Sequence, residues 1–236
     1  MLLHSLAFLA AARHTVLFHK PAGVVTTHAD ELGRPTVYDA LRAALPAPLS
    51  ALAWHACGRL DQNTSGLLVL TTDGGLVHHV THPSASSPRA RGSGGATVEK
   101  EYRALCMGAL GDDALDRLRA GVELGGGLGS SRPARVRVEA REPRAGPPRN
   151  TWLRVVIDEG KNRQVRRMLH AVGSGVLRLE RVRVGGLTLR GLEEPGAWRR
   201  LDDGEVRSEL GYAPPAPERA SPRPRRARAK SRRRPR

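Results

Sequence analysis

Three short stretches of this chain carry residue types that can do chemistry. The first, Cys57-Gly58-Arg59-Leu60-Asp61-Gln62-Asn63-Thr64-Ser65-Gly66, runs on into Leu67-Leu68-Val69-Leu70-Thr71. It sets one acid in a loop with glycines at both ends, directly ahead of a continuous apolar run of the kind that forms a buried strand. A carboxylate there is anchored by the strand yet open to a ligand; the alternative is an Asx turn in which Asp61 caps Asn63 or Thr64. The second stretch is Lys100-Glu101-Tyr102-Arg103-Ala104. Its tyrosine could pack on its own sheet, or could stack on a nucleic-acid base, a contact that contributes about 1–3 kcal/mol. The third is DEGKNRQVRRMLHAVG, Asp158 to Gly173. With Asn162 as N-cap and Gly173 as the C′ residue it reads as a helix of about three turns. Val165, Met168, Leu169 and Val172 share one face at i, i+3, i+4, i+7 spacing, and Arg163, Arg166, Arg167 and His170 share the opposite face. A solvated helix face ordinarily mixes charge signs, and this one carries no acid.

These stretches are similar to the motifs of RNA pseudouridine synthases of the RsuA type. The run GRLDQNTSGLLVLTTDG resembles the active-site motif of that family, with Asp61 at the catalytic acid and the spacing kept to Gly66 and on to Asp73-Gly74. Lys100-Glu101-Tyr102 resembles the family's K-x-Y segment, whose tyrosine lies against the target base. EGKNRQVRRM resembles the segment in which an arginine pairs with the catalytic carboxylate. Either Arg166, nearer the flank of the buried helix face, or Arg167, at its back, could make that pair. Lys20-Pro21-Ala22-Gly23-Val24-Val25-Thr26 resembles the opening strand-and-turn segment, and Gly196-Ala197-Trp198-Arg199-Arg200-Leu201 the closing one, so that the resemblance spans residues 15–203.

The resemblance implies an isomerase that converts a uridine to its C-glycoside isomer within a folded RNA, with large-subunit ribosomal RNA the first choice of partner. Bonds broken and made balance, so no cofactor is expected; the sequence holds neither a GxxxxGK[ST] phosphate loop nor a dinucleotide fingerprint. Asp61, Tyr102 and one of Arg166 and Arg167 are the implied catalytic residues. Arg59, Lys100, Lys161, Asn162, Arg163, Gln164 and Leu201 are the implied substrate-binding ones. The target base must leave its stack, at a cost of a few kcal/mol, and an arginine beside Asp61 favours the ionised acid. Tyr102 and Leu201 would wall a pocket in which the freed uracil turns. Many members carry a small RNA-binding domain ahead of the catalytic body; here about 14 residues precede it. The resemblance is thus to members without that domain, and RNA affinity is expected from the body and a basic tail.

His78, His79 and His82 follow the apolar run, with Cys57 nearby in sequence. Zinc wants four ligands at recognisable spacings, and HHxxH alone does not supply them, so no metal is expected. Cys57 and Cys106 lie 49 residues apart with no CxxC partner, which fits a reducing cytoplasm rather than a disulfide scaffold.

The elements that must position these residues alternate irregularly. Thr15–His19, Leu67–Thr71, Thr97–Leu105, Arg135–Ala140, Thr151–Ile157, Val176–Val184 and Leu187–Leu189 read as strands, the pair at 135–140 and 151–157 joined by a Pro- and Arg-rich loop. Helices are expected over Val37–Leu45, stopped by Pro46, and over Asp112–Ala120, closed by Gly121. Ser84–Gly95, rich in Gly, Ser, Pro and Arg, reads as a flexible loop. No regular βαβ alternation emerges, so the class is α+β. The resemblance adds a mixed, mainly antiparallel sheet flanked by helices, with the active-site cleft across it. A short segment (1–14), a catalytic domain of two subdomains sharing that sheet (15–212) and a disordered basic tail (213–236) make up the chain.

Charge narrows the partners. Lys and Arg number 39 against 23 Asp and Glu, a net of +16. Residues 214–236 hold ten basic residues and one acid, and the remaining body is still at +7. A polyanion is the expected partner, although a high-GC genome would also enrich Arg and Ala. No run approaches the roughly 18–20 apolar residues of a membrane span, and Met1–Ala12 lacks the basic start of a secretory signal. A monomeric cytoplasmic protein is therefore expected. Two competing readings are a non-catalytic RNA-binding or ribosome-assembly protein on the same fold, and a basic DNA-associated protein; the latter leaves the body unexplained.

Overall fold

The computed structural model describes residues 12–82, 97–141 and 150–213. Most of the opening segment, the Ser84–Gly95 loop, most of the loop after residue 141 and the basic tail lie outside the described residues. In chain order the elements are β1 (Thr15–Lys20), α1 (Val37–Ala44), β2 (His55–Ala56), β3 (Ser65–Thr71), α2 (Gly74–Thr81), β4 (Lys100–Cys106), α3 (Asp112–Ala120), β5 (Arg135–Arg141), β6 (Thr151–Ile157), α4 (Gln164–Ala171), β7 (Val176–Val184), β8 (Leu187–Thr188), β9 (Trp198–Leu201) and α5 (Asp203–Leu210). The class is α+β. The strands form one sheet in the order β5-β6-β4-β7-β3-β1-β9, with β2 on β3 and β8 on β7. Every pairing between these strands is antiparallel except β3 with β7. Among the described residues no helix is long and apolar enough to cross a membrane.

The two halves of the sheet differ because their sequences do. In β1 and β3 both faces are buried. Val16, Phe18, Leu68 and Leu70 pack under α1 against Val37 and Leu41, while Leu17, Leu67 and Val69 pack on the other face against Leu76 and Val80 of α2 and Val206 and Leu210 of α5. This is why TVLFHK and GLLVLT read as continuous apolar runs; each side chain so buried contributes about 1.5–3 kcal/mol. In β4 the alternation is visible. Tyr102, Ala104 and Cys106 face the core formed with Val155, Leu153, Val165 and Met168, whereas Glu101 and Arg103 face outward. There they join an ion-pair ladder in which Glu139 meets Arg103 and Arg154, and Arg183 meets Glu99 and Glu101.

Helix α1 begins on a capping box. The Thr36 side chain accepts from the Asp39 amide and Asp39 reaches back to Thr36, satisfying two orphan donors of the first turn. Asp202 and Glu205 do the same for α5, an element absent from the sequence expectations, as are α2, β2 and β9. The helix expected from Asn162 starts later. Arg163, with φ +51°, is its N-cap and the helical turns run only from Gln164 to Ala171. The Gln164 side chain holds that entry, its Oε1 accepting from the Lys161 amide at 2.9 Å and its Nε2 donating to Glu159. Its apolar stripe is buried as expected, with Val165, Met168 and Leu169 at 4% exposure or less.

One rung of the sheet ties distant parts of the chain together. Pairing runs from Val136 to Val155, Tyr102, Arg181, Gly66 and Lys20 across β5, β6, β4, β7, β3 and β1. At its centre Gly66 has φ +109°, and a Cβ there would fall on the backbone nitrogen and carbonyl oxygen of Arg181. Glycine is what lets the parallel strands β3 and β7 close at this point.

Candidate active site

Just ahead of that glycine, residues Leu60–Thr64 form a loop whose carbonyls are held one by one. The Thr26 hydroxyl donates to Leu60 O at 2.9 Å, and the Gly23 amide to Gln62 O at 2.8 Å. The Arg166 Nη2 donates to Asn63 O at 2.7 Å, and the Lys20 Nζ to Thr64 O at 2.8 Å. Lys20 is fully buried and also donates to Pro21 O at 2.8 Å. The effect of these clamps is to fix one side chain that has no clamp of its own. The Asp61 carboxylate accepts no hydrogen bond from any described residue; the turn is closed instead by its backbone carbonyl, which accepts from the Thr64 amide at 3.0 Å. An Asx turn is thus not what Asp61 is for.

Two guanidiniums flank the carboxylate. Arg163 Nη1 and Arg166 Nε each lie 3.6 Å from Asp61 Oδ2. They differ in setting: the Arg166 side chain is 15% exposed and that of Arg163 52%. Burial, and then the charge of Arg163, lower the Arg166 pKa, with Asp61 acting in the opposite direction. Arg167, the other candidate for this pair, turns away. Its Nη1 donates to Leu124 O at 3.2 Å beside Gly126, because its position on α4 faces the 124–126 turn rather than the Asp61 loop.

Asp61 stands in a cleft of about 1090 Å³ that crosses the sheet. Tyr102, Ile157, Val165, Leu179 and Cys57 supply apolar wall, and Lys100, Arg181, Arg163 and Arg59 supply charge. Tyr102 packs partly into the core on either side of it, so its ring bridges the two halves of the sheet. Burial pushes the Cys57 thiol up to about 12, so at neutral pH it is a wall and no nucleophile. Lys20 and Lys100 are both lowered to about 8, chiefly by burial; Asp61 opposes the shift at Lys20 and Asp158 opposes it at Lys100, while Arg181 adds to both.

The expected binding residues divide. Arg59 and Asn162 line the cleft with exposed side chains. Lys161 also lines it, but its ammonium is engaged by the carbonyls of Leu128 and Ser130 at 3.0 and 2.8 Å. Gln164 lines it with its amide committed to the helix entry. Leu201 is placed apart from these: it is buried beside Leu17, Val69 and Val206 in the core under α2 and α5, paired in register with Thr15 at the far end of β1, and is not among the residues that line the cleft. Two buried cations near Asp61 escaped the sequence reading. Lys20 ends an otherwise apolar strand, and Arg181 sits two residues after Leu179 on the buried face of β7. A charge at an apolar-face position was the available signal for both. The histidines after β3 diverge: His78 stacks on His82 at 4.2 Å, while the His79 Nε2 contacts Leu210 O at 2.8 Å.

Comparison with known proteins gives a consistent picture. Residues 14–171 match the family described as RNA pseudouridylate synthase. The chain is 41% identical to ribosomal large subunit pseudouridine synthase B of Yersinia pestis over 78% of its own length and 51% of that protein's. It is 38% identical to the protein of the same name from Haemophilus influenzae, over 79% and 46%. The chain therefore spans about half the length of these curated relatives. A solved structure titled as a pseudouridylate synthase superposes with a TM-score of 0.67 at 27% identity, covering 84% of this chain and 74% of the other.

Proposed function

The chain belongs to the RNA pseudouridylate synthase family, and from that premise we propose that it isomerises a uridine of ribosomal RNA, that of the large subunit first, to pseudouridine. The observation that carries the reading is Asp61: an unclamped carboxylate on a clamped loop, 3.6 Å from two guanidiniums, in a cleft with an aromatic wall. The names of the relatives support the choice of RNA. The catalytic domain is residues 15–212, acting as a monomer in the cytoplasm.

In this reading the target nucleotide leaves its stack, enters the cleft and lies against Tyr102. Asp61 engages the sugar, held by Arg166 from within and Arg163 from the solvent side; Arg167 has no part in that pair. The C1′–N1 bond breaks, the ring turns, and C5 bonds to C1′. The C5 hydrogen leaves as a proton and N1 gains one, so the product is an isomer of the substrate. Arg59, Asn162 and Arg163, exposed along the cleft, meet the flanking phosphates in this reading. Comparing pseudouridine maps of ribosomal RNA from cells with and without this chain tests the target. One large-subunit uridine is expected to stay unmodified in its absence; identical maps would overturn the assignment.

Lys20 also gives the reaction a pH dependence. Losing its proton above about pH 8 removes the charge and one of the three N–H donors that it directs at the carbonyls of Pro21, Gln62 and Thr64, and the Asp61 loop loosens. Turnover measured from pH 6 to 10 is therefore expected to decline above about 8; a flat profile from 7 to 10 contradicts this. Unfolding by these lysines is not the cause. Their folded values lie below the ordinary 10.5, so their burial costs the fold most when they are charged, and that cost shrinks as pH rises from about 8 towards 10.5.

A further inference from the structure

The cleft floor holds two cations, Arg181 buried and Lys100 half-buried, neither of them in an ion pair with a described residue. Arg181 is 3% exposed. Its Nε donates to Leu67 O at 2.8 Å, while its Nη2 is sealed from solvent with no partner among the described residues. Lys100, on the neighbouring strand, has no hydrogen bond or ion pair with any described residue, and it lines the cleft beside Arg181. Lys100 and Tyr102 are two apart on β4 and so share a face, and Tyr102 is opposite Arg181 in register. Ammonium, guanidinium and aromatic ring thus converge on one end of the cleft. Nearby like charges without a counterion are costly, and a buried unpaired donor adds to that cost. Such an arrangement is retained where a ligand supplies the missing acceptor. Depth argues for which part of an RNA this is. The exposed cations Arg59 and Arg163 lie toward solvent, whereas Lys100 and Arg181 line the cleft with Ile157, Leu179 and Tyr102, apolar and aromatic surface that suits a planar base better than a phosphodiester.

We propose that Lys100 and Arg181 form a site for a ring carbonyl oxygen of the target uracil, Lys100 donating to it and the Arg181 charge stabilising the anion that the ring becomes. The inference rests on the isomerase reading. Whether Asp61 bonds to C1′ or takes a sugar proton, the electron pair of the C1′–N1 bond departs with the ring and spreads onto O2 and O4. Lys100 keeps its proton throughout; it contributes a hydrogen bond that strengthens as the charge develops, which is how preorganised donors lower a barrier.

The test pairs a protein variant with single-atom changes in the substrate. Ribosomal RNA fragments carrying uridine, 2-thiouridine or 4-thiouridine at the target position are given to the full chain and to Lys100→Met and Lys100→Arg. Sulfur is a poor acceptor, so the parent protein is expected to slow at least about tenfold with one of the two thio substitutions, the loss of one donor to a developing anion costing about 10²–10³-fold. Lys100→Met is expected to turn over uridine about 100-fold more slowly and to be nearly indifferent to that same sulfur. Lys100→Arg, which keeps a donor, should recover most of the rate. The melting temperature of Lys100→Met should not fall, because a half-buried charge without an ion pair among the described residues has been removed. Full activity in Lys100→Met, or unchanged sensitivity to both thio substitutions, would overturn the proposal. Absence of pseudouridine from the parent protein with unmodified RNA would instead overturn the isomerase reading itself.

Discussion

Replacing Asp61 by Asn is expected to lower isomerisation by about 10⁴-fold or more, the scale of losing a group on which the chemistry turns, while RNA affinity changes little. The reason lies in how the loop is held. Leu60, Gln62, Asn63 and Thr64 are fixed through their backbone carbonyls, and none of those bonds uses the Asp61 side chain. Asparagine has the same shape, so the loop should stay in place. What disappears is the charge between Arg163 and Arg166, and with it the group proposed to engage the sugar. The cations at the mouth remain, so binding persists. Tritium release from RNA labelled at C5 of uridine reads the chemistry, and fluorescence anisotropy reads the binding. Parent-like release by Asp61→Asn would remove Asp61 from the mechanism.

The second large effect is structural. Gly66→Ala is expected to destabilise the protein by about 3 kcal/mol or more and to remove activity with it. Two independent penalties meet at this position. The backbone there has φ +109°, where an L side chain is strained, and the added methyl would overlap the Arg181 backbone. Backbone cannot swing aside as a flexible side chain can, so β3 and β7 would have to part. That separation would move Lys20, which pairs with Gly66 on the other side, and so release the loop that holds Asp61. Urea denaturation of the full chain measures the loss; a variant with the parent's midpoint would show that the parallel junction tolerates a Cβ.

Much of this arrangement was legible in the sequence because short-range chemistry dictates it. The buried strands at β1 and β3 follow from apolar runs, α3 from its span between Asp112 and Gly121, and the α4 stripe from its spacing of Val165, Met168 and Leu169. The site was harder. Asp61 alone reads more readily as a turn residue, and its place in a cleft became an expectation only through resemblance. Lys20, Arg181 and Gly66 share one rung, but they come from sequence positions far apart, and register between β1, β3 and β7 is a tertiary fact that no local pattern encodes. The entry to α4 differs from its expected place for a related reason. Asn162 has the better capping side chain, but Gln164 ties itself to Lys161 and the buried Glu159, and that tie leaves Arg163 in the left-handed region. The motif around Leu201 points to the cleft, whereas the strand register carries that residue to the opposite end of β1. Helix α5 could have been found, since Asp202 and Glu205 bracket it with a capping-box signature.

The proposed function rests on a single carboxylate, Asp61, acting on uridine, with no cofactor expected. The direct measurement is to incubate the purified full chain with ribosomal RNA labelled with tritium at C5 of uridine, in buffer without nucleotide or redox cofactor. Release of one tritium per RNA, with a single new pseudouridine in its map and none formed by Asp61→Asn, is the predicted result. RNA that binds and comes away with every label in place would contradict it.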